Sequence, residues 1–264
     1  MPSVELVLEG WVEDGGSPVV MLTTAVPPDT EFKDLSQLKE HIVRWGKVTI
    51  SDGEEEVVLS GRINRDYFPP YVYSKDTYKV KPGREYVVKA HYSGRCATAS
   101  VTVPYKKPLD YIYVESVPGK EGYRIVTGIS DDKESLDRYK FFVRREKKDS
   151  TYLSSFLGYV SEESFASSSE EVAVYNGTSI MSETFEQYFT AEDVVYVKFC
   201  VLDDTSWQYW SDFEELTSLS RNPFFPVSSK IRSNVDGGLG YFSGYGATYY
   251  KVSIADSIAL GRVR

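Results

Sequence analysis

Hydrophobic and polar residues alternate along the first hundred positions in a way that predicts paired strands. Val4, Leu6 and Leu8 fall on one side of an extended chain, with Glu5, Val7 and Glu9 between them. Asp14-Gly15-Gly16 supplies a turn, and VVMLTT from Val19 to Thr24 brings the chain back. Pro27-Pro28 breaks the pattern. Leu35, Leu38 and Ile42 then fall at helical spacing, with Asp34 or Ser36 as cap, which predicts a short helix over 35–44. KVTISDGEEEVVLSG reads as a hairpin turning at Asp52-Gly53. EYVVKAHYSGRCATASVTVP is the clearest hairpin. Tyr86, Val88, Ala90 and Tyr92 alternate, Ser93-Gly94-Arg95 turns, and Ala97, Ala99, Val101 and Val103 alternate again before Pro104.

Pro104-Tyr105-Lys106-Lys107-Pro108 reads as an extended linker, because both prolines favour open backbone and the lysines are readily solvated. Beyond it, DYIYVESV, GYRIVTGI, YKFFVRR, EEVAVY and VVYVKFCVL read as strands. The serine-rich stretch from Ser154 to Glu171 is weakly periodic and reads as irregular. Trp207, Trp210, Phe213, Leu216 and Leu219 recur every three residues, predicting a helix near 205–220 with an aromatic stripe, capped by Asp204 or Thr205 and stopped by Asn222-Pro223. The expectation is a mainly β chain of two domains. Residues 1–106 form an immunoglobulin-like or transthyretin-like antiparallel sandwich with one short helix. Residues 107–264 form a second antiparallel sandwich or barrel that carries the later helix and a glycine- and aromatic-rich end.

Composition supports strands, with 21 tyrosines and 13 phenylalanines in 264 residues. A net charge of −9 repels phosphate backbones and argues against a nucleic-acid partner. The basic run RYKFFVRREKK from Arg138 to Lys148 is read as a strand with its polar face in water. No stretch approaches the ~20 apolar residues that span a bilayer. Met1 leads directly into a strand-like segment, which fits both a protein whose leader has been removed and a cytoplasmic one. Cys96 and Cys200 lie in apolar runs and read as buried thiols, with a bridge open only in an oxidising compartment.

Between Asp236 and Ala247 stand five glycines and three large aromatics. Gly238-Leu239-Gly240-Tyr241-Phe242 is followed by Ser243, so the G-x-G-x-x-G dinucleotide pattern fails. No Gly-Lys-Ser/Thr phosphate loop is present, and no G-x-S-x-G surrounds Ser243. The glycines are read as scaffolding, with Gly237 and Gly238 in left-handed conformations and the others bringing main chain close to packed rings. Neither His41 nor His91 has a nucleophile in its pattern, and neither histidines nor cysteines fall at metal spacing. No cofactor is expected. Residues 192–215 hold seven acids against Lys198 alone. With Trp207 and Trp210 they suggest a sugar site or, were two carboxylates to converge, glycoside hydrolysis. The blander alternative is a helix whose stripe is core and whose acids face water. Asp131-Asp132 with Asp137 reads as a polar turn, since it lacks calcium-loop spacing. Asn176-Gly177-Thr178 is a glycosylation sequon.

Three stretches together resemble one family: LVLEGWVEDGGSPVVMLTTAVP, KVTISDGEEEVVLSG, and NPFFPVSSKIRSNVDGGLGYFSGYG. The last is the most specific, with Asn222-Pro223-Phe224, Pro226, Ser233-Asn234, Gly237-Gly238-Leu239-Gly240 and Phe242-Ser243-Gly244-Tyr245. This is the domain of unknown function 4249 family. The resemblance implies a bacterial envelope lipoprotein held at the outer membrane by an N-terminal lipid anchor, often associated with TonB-dependent transporters. It supplies no catalytic residues. The expectation is therefore a non-catalytic binding or accessory protein of the cell envelope, with Trp207, Trp210, Tyr241 and Tyr245 as candidate contacts for a glycan or other small ligand. A carboxylate-dependent glycosidase and a structural or adhesive module are the alternatives.

Overall fold

The structure is a computed structural model that describes residues 5–26, 35–130, 137–165, 168–178, 185–219 and 231–263. The Pro27-Pro28 break, the Asp34 cap, the Asp131-Asp132 turn and the Asn222-Pro223 helix stop lie outside the described residues. The chain groups into two units, each discontinuous: residues 1–105 with 203–246, and residues 106–202 with 247–264.

Unit one begins with the hairpin β1 (Leu6–Glu13) and β2 (Val19–Thr24). Gly15, at φ +75°, makes the turn between them. The expected helix is a 3₁₀ helix, Leu35–His41. Then come β3 (Lys47–Ser51), β4 (Glu56–Ile63), β5 (Tyr71–Ser74), β6 (Glu85–Tyr92) and β7 (Arg95–Thr102). The first half of β4 pairs with β3 and the second half with β5, so one strand serves two sheets. The alternation read from sequence decides the core. Leu6, Leu8, Val20 and Leu22 join Val48, Ile50, Tyr86, Val88, Ala97 and Ala99 in one apolar cluster. The unit is a β sandwich in which strands β1–β7 pair antiparallel with one another.

Unit two contains β8 (Tyr111–Ser116), β9 (Tyr123–Ser130), β10 (Arg138–Arg145), β11 (Leu153–Ser161), β12 (Ser169–Val174), β13 (Gly177–Thr178) and β14 (Val194–Leu202). Strands β12, β9 and β8 form a small antiparallel sheet. The serine-rich stretch is more regular than expected. Most of it is β11 and the start of β12, with a 3₁₀ turn at Glu162–Ser164. Its periodicity is hidden by an irregularity. Lys140 pairs with Tyr159 but Phe142 with Ser154, and Leu157 takes φ +54°, so inside and outside exchange mid-strand. The basic strand also differs from expectation. Lys140 is fully buried and reaches the Ser155 carbonyl at 3.5 Å, so β10 is covered on both faces there.

The chain then forms helix α1 (Asp204–Leu219), the long strand β15 (Leu239–Ser253) and a short α2 (Ile254–Ala259). Asp203, one residue before Asp204 and two before Thr205, the expected caps, caps α1 by accepting the Ser206 amide at 2.8 Å. The sequence reading placed α1 and the whole glycine segment with residues 107–264. The contact pattern instead groups 203–246 with unit one, where residues 239–245 pair in parallel with β1. Residues 247–253 belong to unit two, whose larger sheet runs β13-β11-β10-β14-β15. Among the described residues, no helix is long and apolar enough to cross a membrane.

Candidate functional site

The glycine segment is main chain packed on main chain. Asp236 exchanges both backbone hydrogen bonds with Thr98 of β7, at 2.7 and 2.8 Å. A side chain on Gly238 would meet the Leu6 carbonyl oxygen at 2.7 Å. One on Gly244 would meet that of Thr102 at 2.7 Å, and one on Gly246 those of Tyr105 and Pro104 at 2.6 and 2.7 Å. One on Gly237 would collide with the Cys96 carbonyl and one on Gly240 with that of Leu8. Only Gly237 and Gly240 take positive φ, at +74° and +112°. Gly238 was expected in a left-handed conformation and is required for close approach alone. Asn234 completes the clamp. Its amide nitrogen donates to the Phe242 carbonyl at 2.7 Å and its oxygen accepts the Phe242 amide at 2.8 Å, as a neighbouring strand would.

On the outer face of this strand pair, α1 meets Tyr241, Ser243 and Tyr245. Two of the four aromatic candidates are core: Trp210 is 7% and Tyr245 3% exposed, and the indole N–H donates to the Tyr245 hydroxyl at 3.0 Å. Trp207 and Tyr241 are half-buried. Tyr241 stacks on Tyr209, with ring centroids 3.9 Å apart and planes 17° from parallel. Beside them lies a small recess of about 30 Å³, lined by Thr205, Gln208 and Tyr209 from α1, by Arg232, Ser233 and Asn234, and by Tyr241, Phe242 and Ser243. Of the four candidates, Tyr241 alone lines it.

One polar group in the lining and one carboxyl outside it bear on the chemistry here. The Ser243 hydroxyl is buried with no hydrogen-bond partner, an arrangement that favours a bound water or ligand hydroxyl. Glu9, directly across from Tyr241 on β1, has its carboxyl pushed up by burial. Burial foremost, and then the Glu9 charge, raises the Tyr209 phenol; Tyr241 is raised foremost by burial, with Tyr209, Tyr245 and Glu9 adding to it. At the rim Arg232 grips Asp212 with two nitrogens, at 2.8 and 2.7 Å, and holds that carboxyl below the usual range. The site can orient a small polar group against stacked rings. Its serine has no base bonded to it.

The other sequence candidates are dispersed. Asp203 is a helix cap whose carboxyl is raised by burial despite the Ser206 bonds, and Asp212 is paired with Arg232. Asp193, in unit two, pairs with Lys148 at 2.7 Å and accepts the Thr190 amide. His41 bonds Thr24 Oγ1 at 3.0 Å; His91 Nε2 lies 3.7 Å from Cys96 Sγ. Cys96 is exposed, against expectation, because Ala97, Ala99 and Val101 take the inward positions of β7. Cys200 is buried. Asn176 of the sequon is 2% exposed and donates to the Glu186 carbonyl, so its amide is not presented for glycosylation. Among the described residues no three potential metal ligands gather.

Glu9 and Tyr209 escaped sequence reading, and Ser243 was weighed there only as a nucleophile. Alternation placed Glu9 on a wet face, and nothing in the local pattern announces that α1 comes to lie over it.

A family model described as "Domain of unknown function (DUF4249)" matches residues 3–251. No curated protein matches the chain. Among solved structures, the crystal structure of the chicken CNTN1 FN1–FN3 domains matches at 10% identity and a TM-score of 0.26. That match covers 75% of this chain and 61% of the other, so the chain spans about three-fifths of that structure's length.

Proposed function

This chain belongs to the domain of unknown function 4249 family, and from that premise we propose that it is a non-catalytic binding or accessory protein of the bacterial cell envelope. It is held at the outer membrane by an N-terminal lipid anchor and serves uptake beside a TonB-dependent transporter. The observation that carries the binding reading is the recess under α1. An orphaned, buried Ser243 hydroxyl beside the stacked Tyr209 and Tyr241 rings is a seat for a ligand hydroxyl. The glycine signature supports it indirectly, because its residues are consumed by main-chain packing. The hydrolase alternative needs two convergent carboxylates, whereas Asp193, Asp203 and Asp212 serve as ion pairs and a cap.

The test is fractionation of cells producing the natural precursor, followed by affinity purification from detergent-solubilised outer membrane. The proposal expects a lipid-modified protein recovered with a TonB-dependent transporter. Recovery from the cytosol without lipid contradicts it.

A further inference from the structure

The small sheet of unit two has two unlike faces. Ile125, Val172 and Val174 point into the core, with Val114 of β8. Alternation turns Tyr111, Tyr113, Glu115, Arg124 and Glu171 to the other side. Solvated sheet faces are ordinarily polar; this one carries rings held in place.

Tyr111, Gly128 and Glu171 form one row across the three strands. A side chain on Gly128 would lie 2.5 Å from Tyr111 Cζ and 2.8 Å from Cδ1, so the phenol rests flat on bare backbone. It is 46% exposed. Tyr113 lies beside it, centroids 5.9 Å apart and planes 25° from parallel. Both hydroxyls donate to Glu171 Oε2, at 3.2 and 3.0 Å. The strip continues through the Arg124–Glu115 ion pair.

The shape selects among ligands. Caged cations are held by rings that surround the charge; two rings only 25° apart make an open platform, and the Arg124 guanidinium beside it repels a cation. An anion would meet Glu171 and Glu115. A neutral ring with an apolar C–H face and a hydroxyl rim suits both parts, with the phenols beneath and carboxylate acceptors and a guanidinium donor alongside. We propose that this sheet face is a carbohydrate-binding platform, seating a pyranose of a neutral glycan on Tyr111 and Tyr113 with its hydroxyls toward Glu171 and Arg124. It lies in a different unit from the recess and does not rest on that reading.

Isothermal titration calorimetry of the whole chain with cellohexaose, xylohexaose, mannohexaose and maltohexaose tests it. At least one should titrate. Tyr111→Ala, and separately Tyr113→Ala, should weaken that binding about tenfold or more at a temperature where circular dichroism shows both variants still folded. Gln208→Ala, at the recess, should leave it unaltered. No binding by any of the four overturns the platform, as does wild-type affinity in both tyrosine variants. Loss on Gln208→Ala with the tyrosine variants unaffected would move the sugar to the recess and also overturn it.

Discussion

Asn234 offers the most exacting test of how the glycine segment is held. Its side-chain amide makes both hydrogen bonds of a missing strand to Phe242, at 2.7 and 2.8 Å. Asn234→Ala removes two bonds, each contributing roughly 0.5–1.5 kcal/mol net, and leaves an N–H and a C=O of Phe242 short of partners. The expected loss is about 2–4 kcal/mol, read from the midpoint of urea unfolding at an unchanged slope. Asn234→Asp sharpens the argument. An ionised carboxylate still accepts the Phe242 amide but faces the Phe242 carbonyl with no proton to donate. Only the neutral acid satisfies both, so the folded state must raise this carboxyl above its unfolded value of about 3.9. The stabilising contribution is then present below that value and lost as pH rises through the folded one. Measured against wild type at each pH, Asn234→Asp should be nearly silent near pH ~3.5 and clearly destabilised near ~7. A deficit under ~0.5 kcal/mol for Asn234→Ala, or one independent of pH for Asn234→Asp, would refute the clamp.

The remaining expectations are simpler. Burial raises the Glu9 carboxyl, so its contribution is full below the unfolded value of about 4.3 and fades as pH rises. Glu9→Gln should therefore flatten the fall in melting temperature between acid and neutral pH, and an unchanged profile would argue against a desolvated Glu9. At Glu162 burial pushes the carboxyl up, but bonds from Tyr139, the Asp137 amide and Lys107 outweigh it and hold it low. Its stabilisation is present above the unfolded value and lost as pH falls. Glu162→Gln should cost about 2–4 kcal/mol at neutral pH by urea unfolding, and a cost persisting undiminished in acid would contradict this. Finally, a thiol reagent should label Cys96 in the native protein and Cys200 only after unfolding; two fast thiols would contradict the burial of β14.

Much of the fold was legible because strands write themselves in alternation. The β6–β7 hairpin was readable from Tyr86 to Val103, and its turn residues Ser93 and Gly94 do take φ of +49° and +77°. Helix α1 was readable from the recurrence that begins at Trp207, and of that stripe Trp210 is buried while Trp207, Phe213 and Leu216 are half-buried. What was illegible depends on partners distant in sequence. The Leu157 irregularity scrambles β11 locally, and Lys140 is buried by strands on either side. Glu9 becomes a half-buried, desolvated acid only because β15 and α1, far later in the chain, arrive beside it. The same holds at Tyr111: its ring is exposed yet fixed because Gly128 lies under it and Glu171 beside it, three strands that sequence spacing does not bring together.

Three glycine-to-alanine variants, compared by urea unfolding, test most directly whether the segment from Gly237 to Gly246 is main-chain scaffolding. Gly53 has φ +86° and open space around it, so Gly53→Ala should cost only the left-handed strain, ~1–2 kcal/mol. Gly238 has ordinary φ but the Leu6 carbonyl at 2.7 Å, so Gly238→Ala should cost the collision, ~1–3 kcal/mol. Gly240 combines φ +112° with overlap on the Leu8 backbone, and Gly240→Ala should be the most damaging, at the sum of the two. Stabilities of Gly238→Ala and Gly240→Ala indistinguishable from wild type would show that the backbone has room to spare and that these glycines serve something else.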